Sequence, residues 1–324
     1  METYDLIIIG GSAAATAAGI YAARRNLNFK IITKEFGGEV ATSGEIGNWP
    51  GLNQTDGIAL AQMFKDHLAF YKVVPEEGIW VERLRRQADG LFCITAKNEN
   101  DAMASDKLPD GASAVPKCDY LAKSVIIATG VHPRELGVPG EKEFRNKGVS
   151  YCTVCDGPVF GGKVTAVVGG GNSALESALM LADICPTVYV LNKNPQFKGD
   201  QILIDNLAKK ANVQVIFDAQ TATIRGEEFV TGMSYNDKAG QAQNLKVDGI
   251  FVHIGMVPNS SLVPDEVKKD QFGQIMVNAS GETNIPGLYA AGDVTDTPHK
   301  QIVIAAGLGT TALLSAVNYL NRMK

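Results

Sequence analysis

Two stretches of this 324-residue chain repeat one pattern: an apolar, β-branched strand, a turn of glycines, then a helix of small residues. The first reads Ile7-Ile8-Ile9-Gly10-Gly11-Ser12-Ala13-Ala14-Ala15, the second Val167-Val168-Gly169-Gly170-Gly171-Asn172-Ser173-Ala174. In a G-x-G-x-x-G/A turn the first glycine makes the tight bend and the second lets backbone approach a pyrophosphate. The third position must be small so that the helix packs on the strand. Gly169, Gly171 and Ala174 meet all three conditions. The N-terminal copy places Gly10, Ser12 and Ala15 there, and Ser12 adds a Cβ at the closest approach while offering a hydroxyl to a phosphate oxygen. A further strand follows each helix, Phe29 to Thr33 and Thr187 to Leu191, completing two βαβ units with parallel strands. The fold class expected is α/β, with two Rossmann-like dinucleotide-binding domains.

Two other short strands end in turns suited to a nucleotide: Ser124 to Ala128 before Thr129-Gly130, and Gly287 to Ala291 before Gly292-Asp293. One precedes the second βαβ unit and the other follows it. A sheet begun before an insertion and finished after it explains this placement. Residues 1–130 and 251–324 are therefore expected to form a discontinuous domain, with 131–250 inserted. The stretch Lys97 to Lys117 lacks periodicity and reads as a long exposed hairpin loop.

With 45% hydrophobic and 20% charged residues, the chain can bury two cores. A net charge of −5 gives no electrostatic reason to expect nucleic acid or an anionic membrane as partner. The run Leu6 to Ile9 lacks the basic flank and cleavage site of a secretory leader. Gln301 to Leu320 is apolar, but Gly307, Gly309, Ser315 and Asn318 interrupt it, so it reads as a buried helix and not a membrane span. A cytoplasmic location is expected.

Five cysteines include one close pair, Cys152-Thr153-Val154-Cys155, followed at once by Asp156-Gly157-Pro158. Two-residue spacing suits a reducible disulfide and a thiolate of lowered pKa, and the adjacent Asp156 can exchange the proton that such chemistry requires. Cys93, Cys118 and Cys185 read as buried small hydrophobes. A closed zinc site wants four ligands, whereas His67, His132, His253 and His299 are scattered, so no metal site is expected.

Some twenty residues beyond each cradle an acid should meet a ribose hydroxyl. Glu35 is available in the first unit. The second reads Leu191-Asn192-Lys193-Asn194, with Lys198 further on: neither a carboxylate favouring NADH nor an arginine cluster for a 2′-phosphate. Asn192 can bond a hydroxyl, and Lys193 and Lys198 are either point charges for a phosphate or solvated surface.

Taken in order, these motifs resemble the thioredoxin reductase family of low molecular weight, over essentially the whole length. Beyond the two cradles and the cysteine segment, the matching residues are Gly37-Gly38-Glu39, Asn48-Trp49-Pro50-Gly51 and Ala128-Thr129-Gly130. Gly255 with Pro258-Asn259, Ala291-Gly292-Asp293-Val294 and Lys300-Gln301-Ile302 complete the set. The resemblance implies FAD in the discontinuous domain, held by Gly10, Gly11, Ser12, Ala13, Ala14, Glu35, Gly37, Gly38, Glu39, Asn48, Ala128, Thr129, Gly130 and Gly292. Asp293 would bond the ribityl chain, and Lys300, Gln301 and Ile302 would line the isoalloxazine. It implies NADPH or NADH in the inserted domain, held by Gly169, Gly171, Asn172, Ser173, Ala174, Asn192, Lys193 and Gly255. Cys155 would face the flavin, Cys152 would attack the disulfide of a thioredoxin- or glutaredoxin-like partner, and Asp156 would be the acid–base group. A homodimer is implied as well, and rotation of the inserted domain, about crossings near Val131 and Phe251, would let nicotinamide and dithiol take turns at the flavin.

The chain also departs from that family. Pro195 to Asp200, Cys155-Asp156-Gly157-Pro158-Val159-Phe160 and His299 to Ile304 are similar to the flavoprotein subunit of alkyl hydroperoxide reductase, an NADH-preferring relative. That relative carries a further N-terminal disulfide-relay domain, which this chain is expected to lack, so a separate carrier is implied. Two other readings stand beside a nicotinamide-driven reductase: one of the same fold driven by a protein donor such as ferredoxin, and a nucleotide-binding redox sensor without turnover.

Overall fold

The computed structural model describes residues 1–43, 45–98 and 118–323, with Glu45 and Cys155 traced by their backbone alone. The chain opens with β1 (Thr3–Ile9), α1 (Ala13–Arg24) and β2 (Phe29–Ile32), the two strands parallel as a βαβ crossover demands. A short antiparallel pair, β3 (Glu45–Ile46) and β4 (Thr55–Asp56), leads into α2 (Gly57–Phe70). Asp56 caps that helix by accepting the Ala59 N–H at 2.8 Å, satisfying one of its unpaired first-turn donors. Then follow β5 (Ile79–Arg86), β6 (Phe92–Asn98), β7 (Tyr120–Ile127) and β8 (Val131–Pro133).

The middle of the chain supplies β9 (Val149–Ser150), the single turn α3 (Thr153–Asp156), β10 (Val164–Val168) and α4 (Asn172–Ala182). After these come β11 (Thr187–Asn192), α5 (Gln201–Ala208) and β12 (Val213–Phe217). An antiparallel trio, β13 (Gln220–Gly226), β14 (Val230–Asn236) and β15 (Ala242–Leu245), precedes β16 (Gly249–Val252). The last elements are β17 (Met256–Pro258), β18 (Leu288–Ala290) and α6 (Ile302–Arg322).

These elements form two compact units: Met1–His132 with Val257–Lys324, and Pro133–Met256. The second crossing falls after Met256 and not near Phe251, because β16 lies between β10 and β9 in the sheet β12-β11-β10-β16-β9. Phe251 is accordingly a fully buried core residue of the middle unit.

In the first unit the main sheet runs β2-β1-β7-β6-β5, with β18 also on β7. One edge of β7 is shared: its start pairs antiparallel with β6 through Tyr120 to Ala122, and its end pairs parallel with β18 through Val125 to Ile127. Successive side chains of β1 point to opposite faces, as the pleat requires. Leu6 and Ile8 join α1 and α6 in one core, while Ile7 and Ile9 join Phe92, Ile94 and Val125 in the other. A parallel segment covered on both faces must be apolar throughout, which is why β1 does not alternate with polar residues. In the middle unit Ala166 and Val168 face a core with Met233 and Ile250, whereas Val167 faces α4 through Ala174, Leu175 and Ala178.

Helix α6 buries only one stripe: Gly309, Ala312, Leu313, Ala316, Val317 and Leu320. It is long and apolar enough to cross a membrane by length and composition, and most of its surface is half-exposed here, so it is less buried than the sequence suggests. A second difference concerns the cysteines. Cys93 of β6 and Cys118, just ahead of β7, are disulfide-bonded with Cα atoms 5.4 Å apart, and are not separate buried hydrophobes. The antiparallel strands bring them together. The stretch between them, the expected 97–117 loop, lies outside the described residues apart from Lys97 and Asn98. Cys185 is the small buried thiol expected, its S–H donating to the Phe160 carbonyl at 3.3 Å, and burial pushes its pKa up.

Candidate functional site

In the first unit, the residues expected at a dinucleotide gather at the C-terminal ends of β1, β2, β7 and β18. Gly10 has φ +132°, and a Cβ there would sit 2.1 Å from the Ala128 carbonyl oxygen, so strand and turn touch backbone to backbone. Gly37 donates its N–H to the Gly11 carbonyl at 2.7 Å, and Gly38 stands over Ser12. Thr33 donates to the Glu35 carbonyl at 2.8 Å, shaping the turn that presents Glu35 at the surface. Gly292 lies against Ala14, and Ala13 and Ala14 are buried in the first turn of α1. Ser12 occupies the N-cap of α1 without capping it, and its hydroxyl makes no hydrogen bond among the described residues.

The charged groups crowd here. Burial raises the pKa of Asp293, with Lys300 pulling it back; burial lowers that of Lys300, against the pull of Asp293, Asp296 and Asp270. Lys300 also donates to the Thr295 carbonyl. Burial raises the Glu39 pKa as well, offset by a hydrogen bond from Thr42 and by His132, and reinforced by Asp293. Asn48 donates to the Gln301 side chain at 3.2 Å, so these two expected contacts stand side by side, with Ile302 next as the first residue of α6.

Asn259 has a larger part than its motif alone suggests. Its N–H donates to the Gly130 carbonyl at 3.0 Å, its side-chain amide to the Thr129 carbonyl at 2.8 Å, and its own carbonyl accepts from the Thr129 hydroxyl at 2.7 Å. His132 Nδ1 meets its Oδ1 at 2.6 Å. Asn259 thereby fixes the Thr129-Gly130 turn, a role set by a pairing 130 residues long in sequence and not readable locally.

The second cradle has the geometry a pyrophosphate needs. A Cβ at Gly169, φ +149°, would come 2.1 Å from the His253 carbonyl oxygen and 2.9 Å from Ala174 Cβ, whereas Gly171 has nothing within 4 Å of that position. The first glycine is thus packed shut and the second left open, the division of labour expected for backbone approach to a phosphate. Ser173 is exposed in the first turn of α4. Asn172 is engaged with the loop beyond β11: its Oδ1 accepts the Asp200 N–H at 2.7 Å and its amide donates to the Asp200 carboxylate at 2.9 Å. Lys198 N–H donates to the Gly170 carbonyl at 2.8 Å.

Asn192 is held within its own loop. It is 2% exposed, donates to the Gln196 carbonyl at 2.8 Å, and accepts from the Asn194 N–H at 3.1 Å and its amide at 3.3 Å. One amide hydrogen and the amide oxygen thus shape the loop beyond β11. Lys193 and Lys198 are exposed and make no ion pair among the described residues. Gly255, φ +106°, accepts the Arg134 N–H at 2.9 Å.

The cysteine turn lies in the same unit. Cys152 is half-buried and disulfide-bonded; the Cys155 side chain lies outside the described part. Ser150, at the end of β9, accepts the Cys152 N–H at 3.1 Å and donates to the Asp156 carboxylate at 2.6 Å. Sequence reasoning missed Ser150, since only the fold brings β9 under the turn. Thr153 is 4% exposed, and its hydroxyl meets Ser177 of α4 and His253 Nε2, the latter at 2.8 Å. Val154 and Val159 flank the turn in solvent. Among the described residues no three His, Cys, Asp or Glu side chains cluster as a metal site would.

Residues 4–309 match the family described as pyridine nucleotide-disulphide oxidoreductase. The NADH dehydrogenase of Ferdinandcohnia aciditolerans is 40% identical over 322 residues, 99% of this chain and 58% of that protein. The F subunit of alkyl hydroperoxide reductase from Escherichia coli is 39% identical over 325 residues, 100% of this chain and 59% of that protein. The chain thus spans less than two thirds of the length of these curated relatives. Among solved structures, T. acidophilum thioredoxin reductase superposes with a TM-score of 0.79 at 33% identity, covering 100% of both chains. Proteins of this family work with FAD and a nicotinamide nucleotide, and both cradles are shaped to take a dinucleotide. Two glycine cradles, a disulfide-bonded cysteine beside one of them, and these matches across nearly the whole length place the chain in the pyridine nucleotide-disulphide oxidoreductase family.

Proposed function

We propose that the chain is a flavin-dependent disulfide reductase, carrying electrons from NAD(P)H through FAD and the Cys152–Cys155 pair to a protein disulfide of thioredoxin or glutaredoxin type. The observation that carries this reading is Cys152, disulfide-bonded on a turn whose Asp156 carboxylate is oriented by Ser150. FAD bound there would supply the two-electron chemistry that links a nicotinamide to the disulfide.

The chain's own residues do the rest. Gly10, Gly11, Ser12, Ala13, Ala14, Gly37 and Gly38 would hold the pyrophosphate of FAD, Glu35 would bond its ribose, and Asp293 and Lys300, beyond Gly292, would orient the rest of it. Gly169, Gly171, Ser173 and Ala174 hold the nicotinamide nucleotide. In the sulfur step the Cys152 thiolate attacks the carrier disulfide and one carrier sulfur leaves. Cys155 then attacks the Cys152 sulfur of that mixed disulfide, re-forming their bond and expelling the second carrier sulfur as a thiol. Asp156 gives and takes the protons, its carboxylate aimed by the Ser150 hydroxyl. The working form is taken to be a cytoplasmic homodimer, which light scattering checks.

Anaerobic titration of the flavin-loaded protein with NADH and with NADPH tests the donor half. Bleaching of the flavin by either is expected. No bleaching by both, with bleaching by a reduced ferredoxin, replaces the nucleotide by a protein donor. Sustained reduction of thioredoxin or glutaredoxin tests the acceptor half: Cys152→Ser is expected to abolish it while leaving flavin bleaching intact. A wild-type protein that bleaches yet sustains no protein-disulfide reduction sinks the reductase reading.

A further inference from the structure

The buried side of the cysteine turn holds a polar contact that the proposed reaction does not use. Thr153 stands between the two cysteines, yet its side chain points inward and is 4% exposed. Its hydroxyl meets two partners from different parts of the fold: Ser177, also 4% exposed, in the middle of α4, and His253, which follows β16. Burying the Thr153 and Ser177 hydroxyls costs free energy unless each is bonded, and apolar groups of similar shape would fill the space. Their retention under this turn therefore fixes a position more than it adds bulk stability.

Each partner also belongs to the nucleotide cradle. Ser177 rides on α4, whose N-cap is Gly171, and the His253 carbonyl is the atom that a Cβ at Gly169 would strike. The bonds are consistent with neutral groups throughout: the Thr153 oxygen donates one proton and accepts another, and a neutral imidazole supplies the remaining role. His253 is half-buried, and burial lowers its pKa to about 4, so the imidazole stays uncharged at neutral pH.

We propose that Thr153, Ser177 and His253 are positioning residues that hold the Cys152 turn in its disulfide-closed geometry and thereby set the balance between disulfide and dithiol. The proposal rests on the reading of Cys152 and Cys155 as the redox pair. Reduction converts the disulfide, two electrons and two protons into two thiols; Thr153, Ser177 and His253 exchange neither. They act by favouring the closed turn, so losing their bonds shifts the equilibrium toward the dithiol.

The test uses the flavin-loaded protein equilibrated against graded glutathione buffers, quenched by alkylation and read by peptide mass, which separates this pair from Cys93 and Cys118. Thr153→Val keeps the shape and deletes the hydroxyl, and is expected to shift the dithiol-to-disulfide ratio about fivefold toward dithiol, the worth of one net hydrogen bond. His253→Ala should move it the same way, and Ser177→Ala in the same direction by less. Thr153→Ser, which restores the hydroxyl, should return the ratio to within about twofold of wild type. Unchanged ratios in Thr153→Val and His253→Ala overturn the proposal, as does a shift in Thr153→Ser equal to that in Thr153→Val, since packing would then be the cause. Bound flavin per chain confirms that each variant is folded. A wild-type protein without any reducible pair at these cysteines defeats the underlying redox reading instead.

Discussion

At the scale of single residues, the loop after β11 and the half-buried imidazole of His253 carry separate consequences. Asn192 is bonded within its own loop, so the exposed cations beyond β11, Lys193 and Lys198, are the groups that would meet an adenosine ribose bound there. Each is a solvated point charge without the rigid fork of arginine, so it favours a 2′-phosphate modestly and in a salt-dependent way. Lys193→Glu with Lys198→Glu is expected to lower kcat/KM for NADPH about tenfold and for NADH less than about twofold, with the NADPH value of the parent falling as salt is raised. Equal losses for both nucleotides would place these lysines away from the phosphate. His253 bears on stability. Its folded pKa of about 4 lies below the ordinary value of 6.5, and burial is the sole cause. An unfolded chain binds that proton first, so the contribution is intact above pH 6.5 and lost as pH falls toward 4, up to about 3 kcal/mol. His253→Gln should flatten that part of a denaturation-versus-pH curve; a slope unchanged between pH 6.5 and 4 would mean the imidazole is not desolvated.

At the scale of elements, legibility follows how local the cause is. β1, α1, β10 and α4 could be read because a glycine turn between an apolar strand and a small-residue helix is a local pattern. The anchoring of Thr129-Gly130 by Asn259, the aiming of Asp156 by Ser150, and the closure of Cys93 on Cys118 were not legible, since each needs strands distant in sequence to be placed first. The disulfide makes a prediction of its own. Cys93 and Cys118 lie 25 residues apart, and tying ends that far apart restricts the unfolded chain by about 3 kcal/mol in the chain-entropy account. Cys93→Ala with Cys118→Ala should lower stability by about that amount, and reductant should lower the parent to match. Alkylation of both thiols in the air-oxidised protein before any reductant is added would show that the bond does not form.

At the scale of the whole molecule, the order of motifs revealed a discontinuous unit, but the strand count of the inserted sheet decided where the chain returns. The expected boundary at 250/251 cuts through β16, whose pairing with β10 and β9 keeps it whole in the middle unit. That unit is continuous from Pro133 to Met256 and owns two cores, around Met233 and around Leu175. A fragment of residues 133–256 is therefore expected to unfold cooperatively on its own, with a sigmoidal urea transition. A non-cooperative, dye-binding fragment would show that its cores depend on the rest of the chain.

The divided edge of β7 has a consequence for biogenesis. As the chain leaves the ribosome, Val125 to Ile127 emerge with one hydrogen-bonding edge bare, and β18, which must cover it, is made only after the entire middle unit. An uncovered apolar strand edge is a template for pairing with another chain. The interval during which this edge is exposed is thus set by synthesis and folding of the inserted unit, so slow translation between residues 133 and 256 lengthens the period in which nascent chains are prone to associate.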